Sequence, residues 1–362
     1  MIFNKLQLTF YLALLIAIGS NCHAQKSNDS INAYLDSVVL RDNIPGISAG
    51  ILVDGELYWT GASGYADVEN KIEAKPETLF RIGSINKVLT ATAILKLSEN
   101  GSIDLQAPIQ TYLPDYPISK KGEIKTIHLL NHTSGIAHYK GKENRSFVKY
   151  DNLRDACRIF ESRTLKFKPG TRYMYTSYGY TVLGAIMESV TKKSYYDAMK
   201  ELIFDPAEMT STFLDNRTKS NTDLAKLYTK KGDQIKPDVN NDLSNIYPAG
   251  GLVSTTTDLL KFVDAWKKNI LLSEESNKMM LETPLYNGKV LDENAGIGWN
   301  IWQHNKYGLV YHRIGGQSGT SALLLSYSET GVTVILLSNQ AVLDPIWEIT
   351  NRLIGFGLSS KN

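Results

Sequence analysis

Several things are scarce in this 362-residue chain, and each scarcity excludes a class of protein. There are two cysteines, Cys22 and Cys157, so no disulfide framework is possible and no Cys pair has zinc-finger spacing. Charge of either sign is not in excess: 39 Lys and Arg face 37 Asp and Glu, a formal net charge of +2. Without a basic run, the electrostatic footprint of a nucleic-acid binder is missing. The longest apolar stretch, Leu8 to Ile18 with Thr9 inside it, falls short of the ~20 residues that cross a bilayer. Neither an internal repeat nor a low-complexity tract occurs. What remains is ordinary globular composition, 43% hydrophobic and 21% charged. At ~150 residues per domain the length allows one large domain or two ordinary ones.

The first 24 residues read as an address. Lys5 precedes the apolar run, and Gly19-Ser20-Asn21-Cys22-His23-Ala24 turns small and polar. That is the layout of a secretory signal peptide over 1–24, cleaved after Ala24, and it implies an exported protein, periplasmic or secreted, with no transmembrane span in its mature form. The minority alternative is a lipoprotein anchored at Cys22, although Asn21 is large for the position before a lipidated cysteine. Simple cleavage removes Cys22 and leaves Cys157 unpaired.

Along the mature chain, Ile47–Val53 and Glu56–Thr60 flank Asp54-Gly55, a strong hairpin signal. A helix is expected from about Ser84 to Glu99, stopped by Asn100-Gly101. The patterns over 126–209 are mostly helical, with loops at His132–Gly135 and Pro169-Gly170. Residues 215–248 are polar and turn-rich, as in a surface excursion. Strand signals return at Ile297–Trp302, Leu309–Ile314, Ser321–Tyr327 and Val332–Leu337, and a helix over Pro345–Ile354 closes the chain. Strands at both ends with helices between them predict an α+β fold: an antiparallel sheet assembled from N- and C-terminal segments, flanked by helices, with a mostly helical lobe inserted.

Two serines compete as nucleophile. Gly46-Ile47-Ser48-Ala49-Gly50 fits the G-x-S-x-G elbow of α/β-hydrolases, which needs a strand before the serine and a helix after it. Here Pro45 precedes Ser48 and strand residues follow, so a small residue within a strand is the better reading. Ser84-Ile85-Asn86-Lys87 instead opens a helix, where a spacing of three puts both side chains on one face. Free backbone N–H groups and the macrodipole there favour developing negative charge. Lys87 could act on the hydroxyl if desolvation lowers its pKa. Its bland reading is an exposed helix lysine. Against that, Val88, Leu89, Ala91, Ala93, Ile94, Leu95 and Leu97 make the helix apolar nearly all round, as in a buried helix.

With Ser84 and Lys87 placed, the text around them resembles the serine β-lactamase-like and penicillin-binding-protein family. That group includes class C β-lactamases, D-alanyl-D-alanine carboxypeptidases, D-aminopeptidases and related esterases. The resemblance runs from about Ile44 to Asn339. It rests on Ile82–Lys87 with Thr90–Ala93, Leu129–Gly135, Pro169-Gly170 ahead of Tyr173–Gly184, Phe204-Asp205-Pro206 with Met209, and Ala249–Thr255. It implies a β-lactamase/transpeptidase-like fold for 25–362, with an α/β lobe at approximately 30–82 and 290–362 and a helical lobe at approximately 83–289. It also implies a serine hydrolase that works through an acyl-enzyme on Ser84, without metal or cofactor, on a small-molecule or peptide substrate, either an ester, an amide or a D-amino-acid peptide.

The family's second motif, Tyr-x-Asn, matches Tyr175-Thr176-Ser177 at its tyrosine only. The resemblance gives Tyr175 the role of relaying the nucleophile's proton with Lys87. A phenol with pKa near 10 needs a nearby cation to serve as a base. Ser177 replaces a carboxamide that holds the substrate amide, and it has fewer donors. The third motif is a cation-x-Gly on a cleft strand, here within Tyr311-His312-Arg313-Ile314-Gly315-Gly316. Alignment on Gly315 favours Arg313 as the cation that orients an acidic substrate group, with His312 the alternative, since adjacent strand residues face opposite ways. Gly315 and Gly316 permit close approach to a bound acyl group, and the N–H groups of Ser84 and Gly316 are the implied oxyanion hole.

His128, His132 and His138 invite a metal reading, but Leu129 stands where a zinc-protease helix carries Glu. Two rivals to the hydrolase remain at this stage: a non-catalytic penicillin-binding-like sensor or binding module, and an α/β-hydrolase using Ser48. Oligomeric state is not legible.

Overall fold

The computed structural model describes residues 28–216 and 223–361. The expected signal segment, with Cys22 and the Ala24 junction, lies outside the described residues. A helix, α1, covers 28–42. The expected hairpin follows as β1 (Gly46–Val53) and β2 (Glu56–Asp67). At its tip Asp54 has φ 51° and Gly55 φ 85°, the left-handed pair that a two-residue turn needs to match strand twist.

The main sheet takes in β1, β2 and β3 (Ile72–Glu73) and four late strands. These are β4 (Asn300–His304), β5 (Gly308–Gln317), β6 (Thr320–Tyr327) and β7 (Val332–Ser338). Their order is β4-β5-β6-β7-β1-β2-β3. The first and last parts of the chain meet where β1 pairs antiparallel with β7, Ile47 opposite Ser338. Strand residues alternate faces, and here both faces are covered. Val332, Val334 and Leu336 pack with Ile31, Leu35 and Val38 of α1 and with Ile349 and Leu353 of α5 (Ile346–Ser359). Ile335 and Leu337 point the other way, into the larger core. That face is covered in part by α4 (Thr256–Lys267), which contacts β1 and β7 although it lies within the stretch assigned above to the helical lobe.

Between the strands, α2 (Asn86–Glu99) and α3 (Ser177–Thr191) form the heart of the helical part. Everything from Asn86 to Leu95 on α2 is buried. Much of 126–209 is less helical than its pattern. Only short turns of helix, Thr126–Leu130 and Leu153–Cys157, precede α3. The chain bends at His132 and Gly135 between them and at Gly170 after them, all with positive φ, and its amides go to distant backbone carbonyls, as Lys166 to Gly135 O and Met174 to His132 O, and to side chains, as Thr176 to His132 Nδ1.

The polar stretch 215–248 is a surface excursion only in part: the hairpin of Tyr228–Lys231 and Gln234–Pro237 is largely solvent-facing, whereas Asp215, Asn241 and Leu243–Ile246 are buried. Arg81 is buried, and its guanidinium donates to Asp215 at 2.5 Å, to Asn240 Oδ1 at 2.9 Å, to Asn241 Oδ1 at 3.2 Å and to two backbone carbonyls. A buried charge is tolerated only when so satisfied, and polar composition here reflects that network. Tyr228–Lys231 also pairs in parallel with Gln340-Ala341. Cys157 is buried and free. No helix among the described residues is long and apolar enough to cross a membrane.

Candidate active site

Ser84 lies in a 3₁₀ turn, Gly83–Ile85, that leads straight into α2. Its position against β5 is enforced by missing side chains. A Cβ on Gly83 (φ 50°) would fall 2.6 Å from Gly316 N, and one on Gly315 would fall 2.0 Å from Ile82 O. Residues 82–84 thus run in backbone contact with 315–316, and any larger residue would prise the serine off the strand. Gly316 itself has open space where a Cβ would stand.

Lys87 follows one turn later and is fully buried. Its ammonium has three acceptors, Ser84 Oγ at 3.1 Å, Ser177 Oγ at 3.1 Å and Ala249 O at 2.8 Å, which use all its hydrogens. The Ala249 carbonyl is held in turn by α2. Asn86 donates to Tyr247 O at 2.5 Å and Thr90 to Pro248 O at 2.7 Å. These partners account for the Ala249-Gly250-Gly251 text noted in the sequence, although nothing there pointed to a carbonyl as the useful atom.

Tyr175 completes the group, its hydroxyl 2.8 Å from Ser84 Oγ. Burial by itself would raise this phenol, but the Lys87 ammonium and Arg313 guanidinium outweigh it and bring it down to about 7. Burial lowers Lys87 to about 8, against the pull of Tyr175. A serine, an amine and a phenol near neutrality, in hydrogen-bond reach of one another, can pass a proton off the serine.

Arg313 and His312 part as strand alternation requires. Arg313 is on the Ser84 side of β5, but only 4% exposed. It donates to Ser84 O and to Asn300 Oδ1, both at 3.2 Å, and lies 5.0 Å over the Tyr175 ring. Its placement does not suit a grip on an acidic substrate group: the side chain is buried, is not among the cleft-lining residues and turns two of its donors onto Ser84 O and Asn300. His312 is on the opposite face, packed between Trp302 and Trp347 at 4.8 and 5.0 Å, and is no part of the site.

Ser48 is wholly buried in β1, hydrogen-bonded to Thr256 Oγ1 at 3.2 Å, so the strand-to-helix elbow is absent. The three histidines serve the backbone. Nδ1 of His128, His132 and His138 accepts the N–H of Lys125, Thr176 and Ser177 respectively. Among the described residues, no group of three or more His, Cys, Asp or Glu is placed to hold a metal ion.

The group opens on a cleft of about 620 Å³. Ser84, Tyr175 and Ser177 form its floor, His138 and Tyr139 one side, and β5 from Ile314 to Gln317 the other. Farther out Arg145 is ion-paired with Asp238. Sequence reading missed His138, Tyr139, Arg145 and Asp238 as cleft residues, since they lie on irregular chain with no periodicity to follow.

A buried lysine one turn after a serine, with a tyrosine from the loop that leads into α3, on an α+β fold of this topology, defines a serine hydrolase. The chain belongs to the beta-lactamase family, whose model ("Beta-lactamase") matches residues 30–358. Serine beta-lactamase-like protein LACTB, mitochondrial, of Homo sapiens is 28% identical over 407 aligned positions, covering 86% of this chain and 73% of LACTB. Protein flp of Staphylococcus aureus (strain MRSA252) is 29% identical over 322 positions, 86% of this chain and 63% of flp. The solved structure of D-amino acid amidase from Ochrobactrum anthropi SV3 superposes with a TM-score of 0.80 at 24% identity, over 92% of this chain and 100% of its own, a likeness of fold.

Proposed function

We propose that the protein is an exported serine hydrolase that forms an acyl-enzyme on Ser84 and acts on an ester, an amide or a D-amino-acid peptide. The observation that carries this reading is the placement of Ser84 Oγ 2.8 Å from the Tyr175 hydroxyl and 3.1 Å from Lys87 Nζ at the floor of a cleft. Tyr175, as phenolate beside Lys87, takes the proton as Ser84 Oγ attacks the carbonyl carbon. The N–H groups of Ser84 and Gly316 receive the developing oxyanion. The proton then passes to the leaving group as its bond breaks, and water repeats the sequence to free the acid. Arg313 acts on Tyr175 rather than on substrate. Export is proposed from the layout of residues 1–24.

Replacing Ser84 by Ala should lower hydrolysis of p-nitrophenyl acetate by on the order of 10⁴ or more. Retained turnover in that variant sinks the reading, and no turnover in the natural protein would favour a binding module instead.

A further inference from the structure

His138 lies in the cleft, yet the serine, lysine and tyrosine chemistry makes no use of it. Its Nδ1 accepts the Ser177 backbone N–H at 3.4 Å. A neutral imidazole that accepts at Nδ1 carries its hydrogen on Nε2. Burial, reinforced by the Lys87 charge, lowers the ring to about 4, so it is neutral at ordinary pH. The ring is held by Tyr139, 4.0 Å away between centroids, and meets the Tyr175 ring edge-on at 5.6 Å. Among the described residues no protein acceptor takes the Nε2 hydrogen.

Its neighbour at the floor is engaged by the lysine. Ser177 Oγ accepts from Lys87 at 3.1 Å. The position where related motifs carry a carboxamide thus helps to hold the lysine. His138 adds a neutral ring donor beside Tyr175 that a substrate can use.

We propose that His138 is a substrate-binding residue whose Nε2–H donates to a carbonyl oxygen in the acyl part of the substrate. The acyl part is chosen because it alone is present in both acylation and deacylation, so a fixed donor next to Tyr175 orients both steps. The inference rests on the Ser84 acyl-enzyme reading. It marks N-acylated amino-acid esters and amides as better substrates than simple acyl esters.

Asparagine and glutamine separate the two ring nitrogens. His138→Asn keeps a polar atom near Nδ1 and loses the cleft donor, whereas His138→Gln keeps a donor near Nε2. The measurement is kcat/KM for the p-nitrophenyl ester of N-acetylglycine divided by that for p-nitrophenyl acetate. His138→Asn should lower this ratio by roughly 3- to 10-fold, the worth of one hydrogen bond, and His138→Gln should hold it within about twofold. An unchanged ratio in His138→Asn, or a fall confined to His138→Gln, overturns the inference while leaving Ser84 hydrolysis standing. Hydrolysis of neither ester by the natural protein overturns the Ser84 reading and this inference with it.

Discussion

Two buried lysines each lie over a tyrosine ring, and only one of them stands beside the proposed nucleophile. Lys87 lies 5.0 Å from the Tyr175 centroid and Lys267, at the end of α4, 5.7 Å from that of Tyr311. Burial lowers both amines to about 8. The phenols diverge. Tyr175 is brought down to about 7, whereas burial pushes Tyr311 up to about 12. The cations are the difference: Lys87 first and Arg313 second lower Tyr175, whereas no charge among the described residues acts to lower Tyr311. Lys267 donates to Thr333 Oγ1 at 2.9 Å, which bonds in turn to Ser326 Oγ at 2.8 Å, a serine wholly buried and without access to a substrate. A depressed lysine is therefore a common product of burial, while a depressed tyrosine needs cations close enough to act on its hydroxyl.

The contrast can be broken most sharply by exchanging the amines for an apolar group. Lys87→Met should cost on the order of 10³ in kcat/KM for p-nitrophenyl acetate, within the range of general acid–base effects. Lys267→Met should leave that value within about twofold, as befits a residue remote from the chemistry. Equal losses in the two variants would show that burial of charge, not its partner, matters.

Next in size is the effect of the second cation. Activity should rise with pH through about 7, as Tyr175 becomes phenolate, and fall beyond about 8, as Lys87 loses the proton that supports it. Arg313→Gln removes one of the charges that lower Tyr175, so the ascending limb should move to higher pH. A shift of one unit from about 7 lowers the phenolate fraction, and with it the rate at pH 7, by about fivefold. Arg313→Lys should keep the limb near its natural place. An ascending limb that stays put in Arg313→Gln would remove Arg313 from the account.

The smallest expected signal is on β-lactams. Ser177 is committed to Lys87 and supplies no carboxamide, so a chromogenic cephalosporin should be turned over slowly beside the ester, as judged by absorbance under the same conditions. Rapid cephalosporin hydrolysis would place amide recognition elsewhere in the cleft.

How far the sequence carried depends on whether a residue sits on a periodic element. Ser84 and Lys87 were legible because three residues on a helix share a face and the rest of α2 is apolar. Tyr175 became legible only through a family motif. The hairpin was legible from Asp54-Gly55, whose positive φ values fit one short turn. Arg313 and His312 were correctly set on opposite faces of a strand, but alternation says nothing about depth, and Arg313 lies beneath the cleft instead of in it. Loops hid the remainder. His138 and Tyr139 follow the bends at His132 and Gly135, and Asp215 and Asn241, the buried partners of Arg81, looked like surface because polar composition does not distinguish a solvated loop from a satisfied internal network.

The most direct test is to label the protein with a fluorophosphonate and map the adduct by peptide mass spectrometry. The account predicts one adduct, on the peptide carrying Ser84, absent from Ser84→Ala and strongly reduced in Lys87→Met. An adduct on any other serine, Ser177 included, or labelling that survives in Ser84→Ala, contradicts it.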